Sequence, residues 1–219
     1  MKIAVLDIGG TKISGGIISL PQGKILKFLK RKTEAKKSKE KILENIYSTI
    51  EELLKNFPKI KKINLGLAGQ INYQKGIFLS GPNFSFSFWG INLKKILEKK
   101  YQREVALEND ANCFTLGETY FGKAKGFKNV VGITLGTGIG GGILIKGKIY
   151  HGQDSLAGEF GHSFINPLGF SFKCSCGKFN HFEILASGKG MEKLYFKIKK
   201  EKRNTFEIEK RALLKEKEA

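Results

Sequence analysis

Cysteine is scarce in this sequence, three in 219 residues, and two of the three stand together as Cys174-x-Cys176. So sparse a set makes no disulfide framework and fits a reducing compartment. Arginine is scarcer than the charge suggests. Of 39 basic residues only Arg31, Arg103, Arg203 and Arg211 are arginine, in a chain of formal net charge +19. Arginine is the side chain favoured for bidentate phosphate and base contacts, and the lysines are spread along the whole length. The surplus charge therefore reads as a solvated surface, and a nucleic-acid partner is not expected. No apolar run reaches transmembrane length, and the opening Met1-Lys2-Ile3-Ala4-Val5-Leu6-Asp7 is neither a basic presequence nor an apolar leader. No membrane partner is expected, and the expected setting is cytoplasmic. The pattern G-x-x-x-x-G-K-[ST] is also missing, which removes the P-loop class.

What is present is enough chain for one large domain or two small ones. Ile3 to Ile8 reads as a buried strand, Lys12 to Leu20 as its return after Gly9-Gly10-Thr11, and Lys24 to Thr33 as a third strand. The opening is an antiparallel meander, not a strand–loop–helix unit. Ser38 is placed to N-cap an amphipathic helix that stops before Pro58. Ile60 to Ala68 comes next as a strand, Gly81 to Gly90 as an irregular aromatic loop, and Asn92 to Lys100 as a short helix. Val105 to Leu107 reads as a strand running into Glu108-Asn109-Asp110 and then a helix to Tyr120. Asn109 and Asp110 thus fall at the C-terminal end of a strand and the start of a helix, where ligands gather in α/β sheets.

From Val130 the pattern begins again. A strand to Leu135 meets a turn over Gly136 to Gly142, then come a strand Ile143 to Ile145 and a pair Ile149-Tyr150. Helical spacing runs from Phe182 to Lys199 and again from Phe206 to Leu214. Two similar α/β halves are expected, residues 1–122 and 123–219, with a cleft between them. Gly136-x-Gly138-x-x-Gly141 matches the dinucleotide fingerprint literally, but that fingerprint must open a helix, and Gly142 to Ile145 are β-patterned. Each half instead offers one glycine–threonine turn whose backbone N–H groups can approach phosphate oxygens. Asp7 stands at the mouth of the first. An ordinary tight hairpin explains either turn alone; the pair points to a nucleotide phosphate clamp.

Between residues 157 and 183 lie two histidines and two cysteines: Ala157-Gly158-Glu159-Phe160-Gly161-His162, then Cys174-Ser175-Cys176-Gly177-Lys178-Phe179-Asn180-His181-Phe182-Glu183. His162, Cys174, Cys176 and His181 make the donor set of a tetrahedral zinc ion, and four protein ligands make the site structural. Two buried thiols with unrelated histidines are the alternative.

Asp7-Ile8-Gly9-Gly10-Thr11-Lys12, Glu108-Asn109-Asp110-Ala111-Asn112, Leu135 to Gly142, Ala157 to His162 and Cys174-x-Cys176-Gly177 together resemble the ROK family. That family comprises bacterial and archaeal sugar kinases and sugar-responsive repressors with the two-lobed ribonuclease H-like fold of the actin and hexokinase type. The resemblance implies ATP-dependent phosphorylation of a hexose or N-acetylhexosamine at O6, with Mg²⁺ and a structural Zn²⁺. Asp110 would be the general base; the other reading of an Asp at a helix start is an N-cap. Asn83, Asn109, Glu159, His162 and Glu183 would join Asp110 in binding the sugar. His162 would turn one ring nitrogen to the metal and the other to the sugar. Asp7 would hold Mg²⁺ through water, while Gly9, Gly10, Thr11 and Lys12 with Gly136, Thr137 and Gly138 would hold the phosphates.

Two departures from the family pattern stand out. His181 occupies the place of a third cysteine, a change that a tetrahedral zinc site tolerates. The resemblance also implies more chain after the helix beyond Glu183, so a C-terminally truncated member with an incomplete second lobe is expected. Its partners would be sugar and nucleotide, with a homodimer or a complementing C-terminal fragment as further expectations. A sugar-binding regulator without its DNA-binding domain and an inactive kinase remnant are the competing readings.

Overall fold

The computed structural model describes residues 1–165, 169, 171–174 and 176–214. The opening meander forms as expected: β1 (Lys2–Ile8), β2 (Lys12–Ser19) and β3 (Lys24–Lys32) pair antiparallel. Helix α1 (Lys39–Lys55) starts at Ser38, whose hydroxyl accepts the Lys41 N–H, and it buries Ile42, Ile46, Ile50 and Leu53 completely. Burying four such side chains contributes about 6–12 kcal/mol in hydrophobic transfer. Gly15 of β2 faces this helix, where a Cβ would stand 2.7 Å from the Thr49 methyl, so the close approach of α1 to the sheet needs glycine.

β4 (Lys62–Leu67) adds to β1 in parallel, and β7 (Glu104–Asn109) adds in parallel to β4, which completes the order β3-β2-β1-β4-β7. A two-stranded hairpin that the sequence did not announce, β5 (Gln70–Asn72) and β6 (Ile77–Ser80), lies between them in the chain. After it the aromatic loop is packed rather than loose. Phe78 and Phe88 are fully buried with Phe84 beside them, while Phe86 and Trp89 project outward and contact each other. α2 (Leu93–Tyr101) is capped by Asn92, and α3 (Asp110–Phe121) grows directly out of β7.

The second sheet has the order β10-β9-β8, from β8 (Val130–Leu135), β9 (Ile139–Ile145) and β10 (Lys148–Ile149). The glycine run expected to be one turn divides here. Gly136 to Gly138 turn, whereas Gly140, Gly141 and Gly142 belong to β9. The reason is close packing on both faces. Cβ atoms at Gly132 and Gly142 would lie 2.2 and 2.3 Å from the Thr115 hydroxyl of α3, and one at Gly141 would lie 2.4 Å from the Gly158 carbonyl. α3 is thereby wedged between the two sheets. The helical stretch expected from Phe182 to Lys199 is broken at Ser187 into α4 (Glu183–Ala186) and α5 (Gly188–Lys199), and α6 (Thr205–Leu213) comes last. No helix among the described residues is long and apolar enough to cross a membrane.

Candidate active site

The first turn comes directly after β1. Gly9 N–H donates to the Lys12 carbonyl at 3.0 Å, and the Thr33 hydroxyl donates to the Gly9 carbonyl at 2.6 Å. A Cβ on Gly10 would stand 2.7 Å from Cβ of Asn83, so the turn and the loop bearing Asn83 are in contact. Burial raises the Asp7 carboxyl above its ordinary value, and the neighbouring Lys12 ammonium opposes that rise.

Asn109 and Asp110 divide the work at the start of α3. Asn109 is the N-cap: its Oδ1 accepts the N–H groups of Ala111 and Asn112 at 2.9 and 3.1 Å, and its amide donates to the Gly69 carbonyl at 3.1 Å. Asp110 is the first helical residue, and its Oδ1 accepts the Ala111 N–H at 2.9 Å. The N-cap explanation for Asp110 is therefore taken by its neighbour. Burial pushes the Asp110 carboxyl up; the Ala111 N–H works against that, and the Asp7 charge adds to it.

The second turn closes with Gly136 N–H on the Gly138 carbonyl at 3.0 Å, and the Gly136 carbonyl accepts the Gly188 N–H at 2.8 Å. The N-terminus of α5 thus starts against this turn. Helix starts carry free N–H groups and a positive dipole end, which suits an anion. Sequence reasoning missed Ser187 and Gly188 in this setting. The signal was the Ser-Gly-Lys-Gly string, hidden inside a longer helical spacing. A Cβ on Gly138 would stand 2.7 Å from Oε2 of Glu183, so that carboxylate lies at the turn itself.

His162, Cys174, Cys176 and His181 come together as expected, with one ligand atom from each within 4.8 Å of all the others. His162 Nδ1 lies 3.9 Å from Cys174 Sγ, and His181 Nδ1 lies 3.3 Å from Cys176 Sγ. A tetrahedral zinc with its usual bond lengths has ligand–ligand edges of about 3.3–3.8 Å. The donor types and their separations, 2.9 to 4.8 Å, are compatible with that ion after small side-chain shifts. Gly177 at φ +94° makes the turn after the second cysteine. Cys174 Sγ also donates to Oε1 of Glu183 at 3.2 Å, which places Glu183 between the cluster and the second glycine turn. The opposite nitrogen of His162, Nε2, points to Glu159 at 3.8 Å. Burial raises the Glu159 carboxyl; His162 counters this, and the charges of Glu183 and Asp110 reinforce it. Asp7, Asp110, Glu159 and Glu183 are therefore close enough to feel one another in this chain of influences.

A cleft of about 700 Å³ opens beside these groups. Glu159 and His162 line it from one side, and Gln70, Ser80, Phe86 and Trp89 from the other. Asn83, Asn109, Asp110 and Glu183 are not among its lining residues, although Gly69, which Asn109 holds, is. Gln70, Ser80, Phe86 and Trp89 were not found from sequence, because they belong to the missed hairpin and to a loop without periodicity. A separate hollow near Met1, Phe57 and Lys62 has no carboxylate in its lining and lies at the opposite ends of β1 and β4.

Two sheets with a glycine turn in each, a helix wedged between them and a carboxylate at its start define the ribonuclease H-like fold of the actin and hexokinase type. The chain belongs to the ROK family, whose profile matches residues 3–219. It is 37% identical over 187 residues to a glucokinase of Thermotoga maritima, covering 85% of this chain and 57% of that protein. It is 34% identical over 211 residues to an N-acetyl-D-glucosamine kinase of Mannheimia succiniciproducens, covering 92% of this chain and 68% of that one. A solved ROK family glucokinase from Streptomyces griseus, in complex with glucose and AMPPNP, superposes with a TM-score of 0.79 at 32% identity, over 90% of this chain and 61% of that chain. The chain thus spans less than two thirds of the glucokinases it matches.

Proposed function

We propose that this chain carries the catalytic centre of an ATP-dependent sugar kinase acting on a hexose or N-acetylhexosamine. The observation that supports this most is Asp110: a carboxylate at the start of α3, relieved of capping by Asn109 and within electrostatic reach of Asp7 and Glu159. Burial raises its proton affinity, which suits a general base that must accept a hydroxyl proton as the new P–O bond forms. In this reading Asp110 takes the proton of the sugar O6, and O6 attacks the γ-phosphorus in line as the bond to ADP breaks. Glu159 and His162 Nε2 hold ring hydroxyls, with Asn83, Asn109 and Glu183 as further contacts. Gly9 to Lys12 and Gly136 to Gly138 hold the phosphates, helped by the start of α5. Mg²⁺, bound with ATP, would neutralise the phosphate charge, and Asp7 is the carboxylate placed to hold it through water. Residues 1–122 and 123–219 are the two lobes, and zinc at the Cys/His cluster is a scaffold for His162.

The relatives named glucokinase and N-acetyl-D-glucosamine kinase support a sugar of that kind. The test is direct: purified protein with Mg-ATP and a panel of hexoses and N-acetylhexosamines should yield a sugar 6-phosphate. No product from any sugar, with a longer relative active in the same assay, sinks the proposal for this chain.

A further inference from the structure

The third histidine, His151, belongs to neither the metal cluster nor the proposed sugar contacts, yet it is the meeting point of three segments. It lies just past β10, and its Nε2 is 2.7 Å from Oε2 of Glu108. A carboxylate can only accept, so Nε2 carries the proton and donates. The other oxygen of Glu108 accepts the Asn109 N–H at 2.8 Å and the Asn112 amide at 3.0 Å, on either side of Asp110. The His151 ring lies flat on Tyr73, with centroids 3.6 Å apart and planes within 10°, and Tyr73 sits in the β5–β6 turn whose strands bring Gln70 and Ser80 to the cleft. The His151 carbonyl accepts the Ala157 N–H at 3.0 Å. The His151 and Glu108 side chains are largely shielded, 16% and 21% exposed, so this bond is less screened by solvent than one on the open surface.

The segment from His151 to Glu159 needs such an anchor. Gly152, Asp154 and Ser155 all have positive φ, and the last two are not glycine. A non-glycine residue in that region is strained and persists only where its surroundings fix it. One end of the segment is fixed at Gly158, packed on Gly141; the other is fixed at His151.

We propose that His151 is a positioning residue: through Glu108 and Tyr73 it holds the segment carrying Glu159 in register with the β7–α3 junction carrying Asp110. The effect on turnover rests on the kinase reading of the site; the positioning itself does not. The arrangement connects the two halves of the proposed site through one ring, with a hydrogen bond to the base side and a stack on the cleft hairpin.

Two readouts test it, on the full chain. In His151→Ala, amide hydrogen exchange across residues 152–162 should quicken, while β1 and β4 exchange as in the wild type. Sugar KM, with glucose and N-acetylglucosamine as probes, should rise about tenfold, while kcat at saturating sugar and KM for ATP change less than about threefold. His151→Gln keeps a donor and a polar side chain of similar reach, so it should fold as the wild type does and fall between the two in both readouts. Unchanged exchange over 152–162 in both variants overturns the proposal. So does quickened exchange with sugar KM unmoved, or a fall in kcat with a rise in both KM values that tracks a lowered melting temperature. A wild type without turnover on any sugar overturns the kinase reading, and the exchange comparison then still decides whether His151 positions the segment.

Discussion

His162 and His181 turn their Nδ1 atoms toward each other at 2.9 Å, with the rings crossing at 82°. Two imidazole nitrogens so close cannot both carry protons, and both face the Cys174 and Cys176 sulfurs. A single divalent ion satisfies all four. The purified protein is expected to hold about one equivalent of zinc by elemental analysis, and a strong chelator should lower its melting temperature. Burial first, and then the charge of His162, hold the His181 imidazole below its ordinary pKa, so it stays neutral and able to ligate at neutral pH. Metal should therefore be lost only as acid titrates the set, and Cys174→Ser should lose it at neutral pH. Less than half an equivalent after metal-replete preparation would remove the ion from the site.

Asp110→Asn should lower phosphoryl transfer about 10²- to 10⁴-fold while sugar still binds. The same substitution should stabilise the fold at neutral pH. The Asp110 carboxyl has its pKa raised by burial and by Asp7, so the folded state binds a proton more tightly than the unfolded state does. Stability from this group is full below the unfolded value of 3.8 and falls as pH rises through the raised folded value. At pH 7 Asp110→Asn should therefore melt above the wild type, and the difference should vanish below the unfolded carboxyl range. Melting curves at pH 4 and pH 7 check the sign. A variant less stable at pH 7 than the wild type would show that the Ala111 N–H outweighs burial.

Gly10→Ala brings a methyl to 2.7 Å from Cβ of Asn83, which is not the flexible end of a side chain. The turn or the loop must move, so KM for nucleotide and for sugar should rise together. Lys12→Ala, by contrast, should raise the nucleotide KM alone. A Gly10→Ala variant that raises the nucleotide KM and leaves the sugar KM unmoved would show that the turn and the Asn83 loop are not coupled.

The meander, α1, the β7–α3 junction and the Cys/His cluster were all legible in the sequence because each rests on local chemistry. Ser38 and Pro58 bracket a 3.6-residue period, and two cysteines and two histidines within twenty residues have few other uses. What escaped depends on distant partners. β5 and β6 span three and four residues, too short for alternation to register, and Ile71 and Phe78 are buried by tertiary packing alone. Gly140 to Gly142 read as a turn because glycine signals a turn locally. They are strand residues packed where a Cβ would crowd Thr134 and Ala111 at Gly140, Thr115 at Gly142 and Gly158 at Gly141. The break at Ser187 is set by the Gly188 bond to Gly136, some fifty residues earlier, which no helical spacing could reveal.

Asn109 has two possible duties, and one substitution separates them. As N-cap it takes the Ala111 and Asn112 N–H groups on Oδ1, while its amide reaches Gly69 at the wall of the cleft. Asn109→Ala removes both and should cost about 1 kcal/mol of stability, a fall of about 2–4 °C in melting temperature for a chain of this size. Asn109→Ser keeps a capping oxygen and loses the amide, so its melting temperature should stay near that of the wild type. If the amide also serves the sugar, Asn109→Ser should raise sugar KM with stability preserved, which calorimetry and kinetics on the same sample can show. Wild-type sugar affinity in Asn109→Ser would make Asn109 a cap alone and leave recognition to Glu159 and His162.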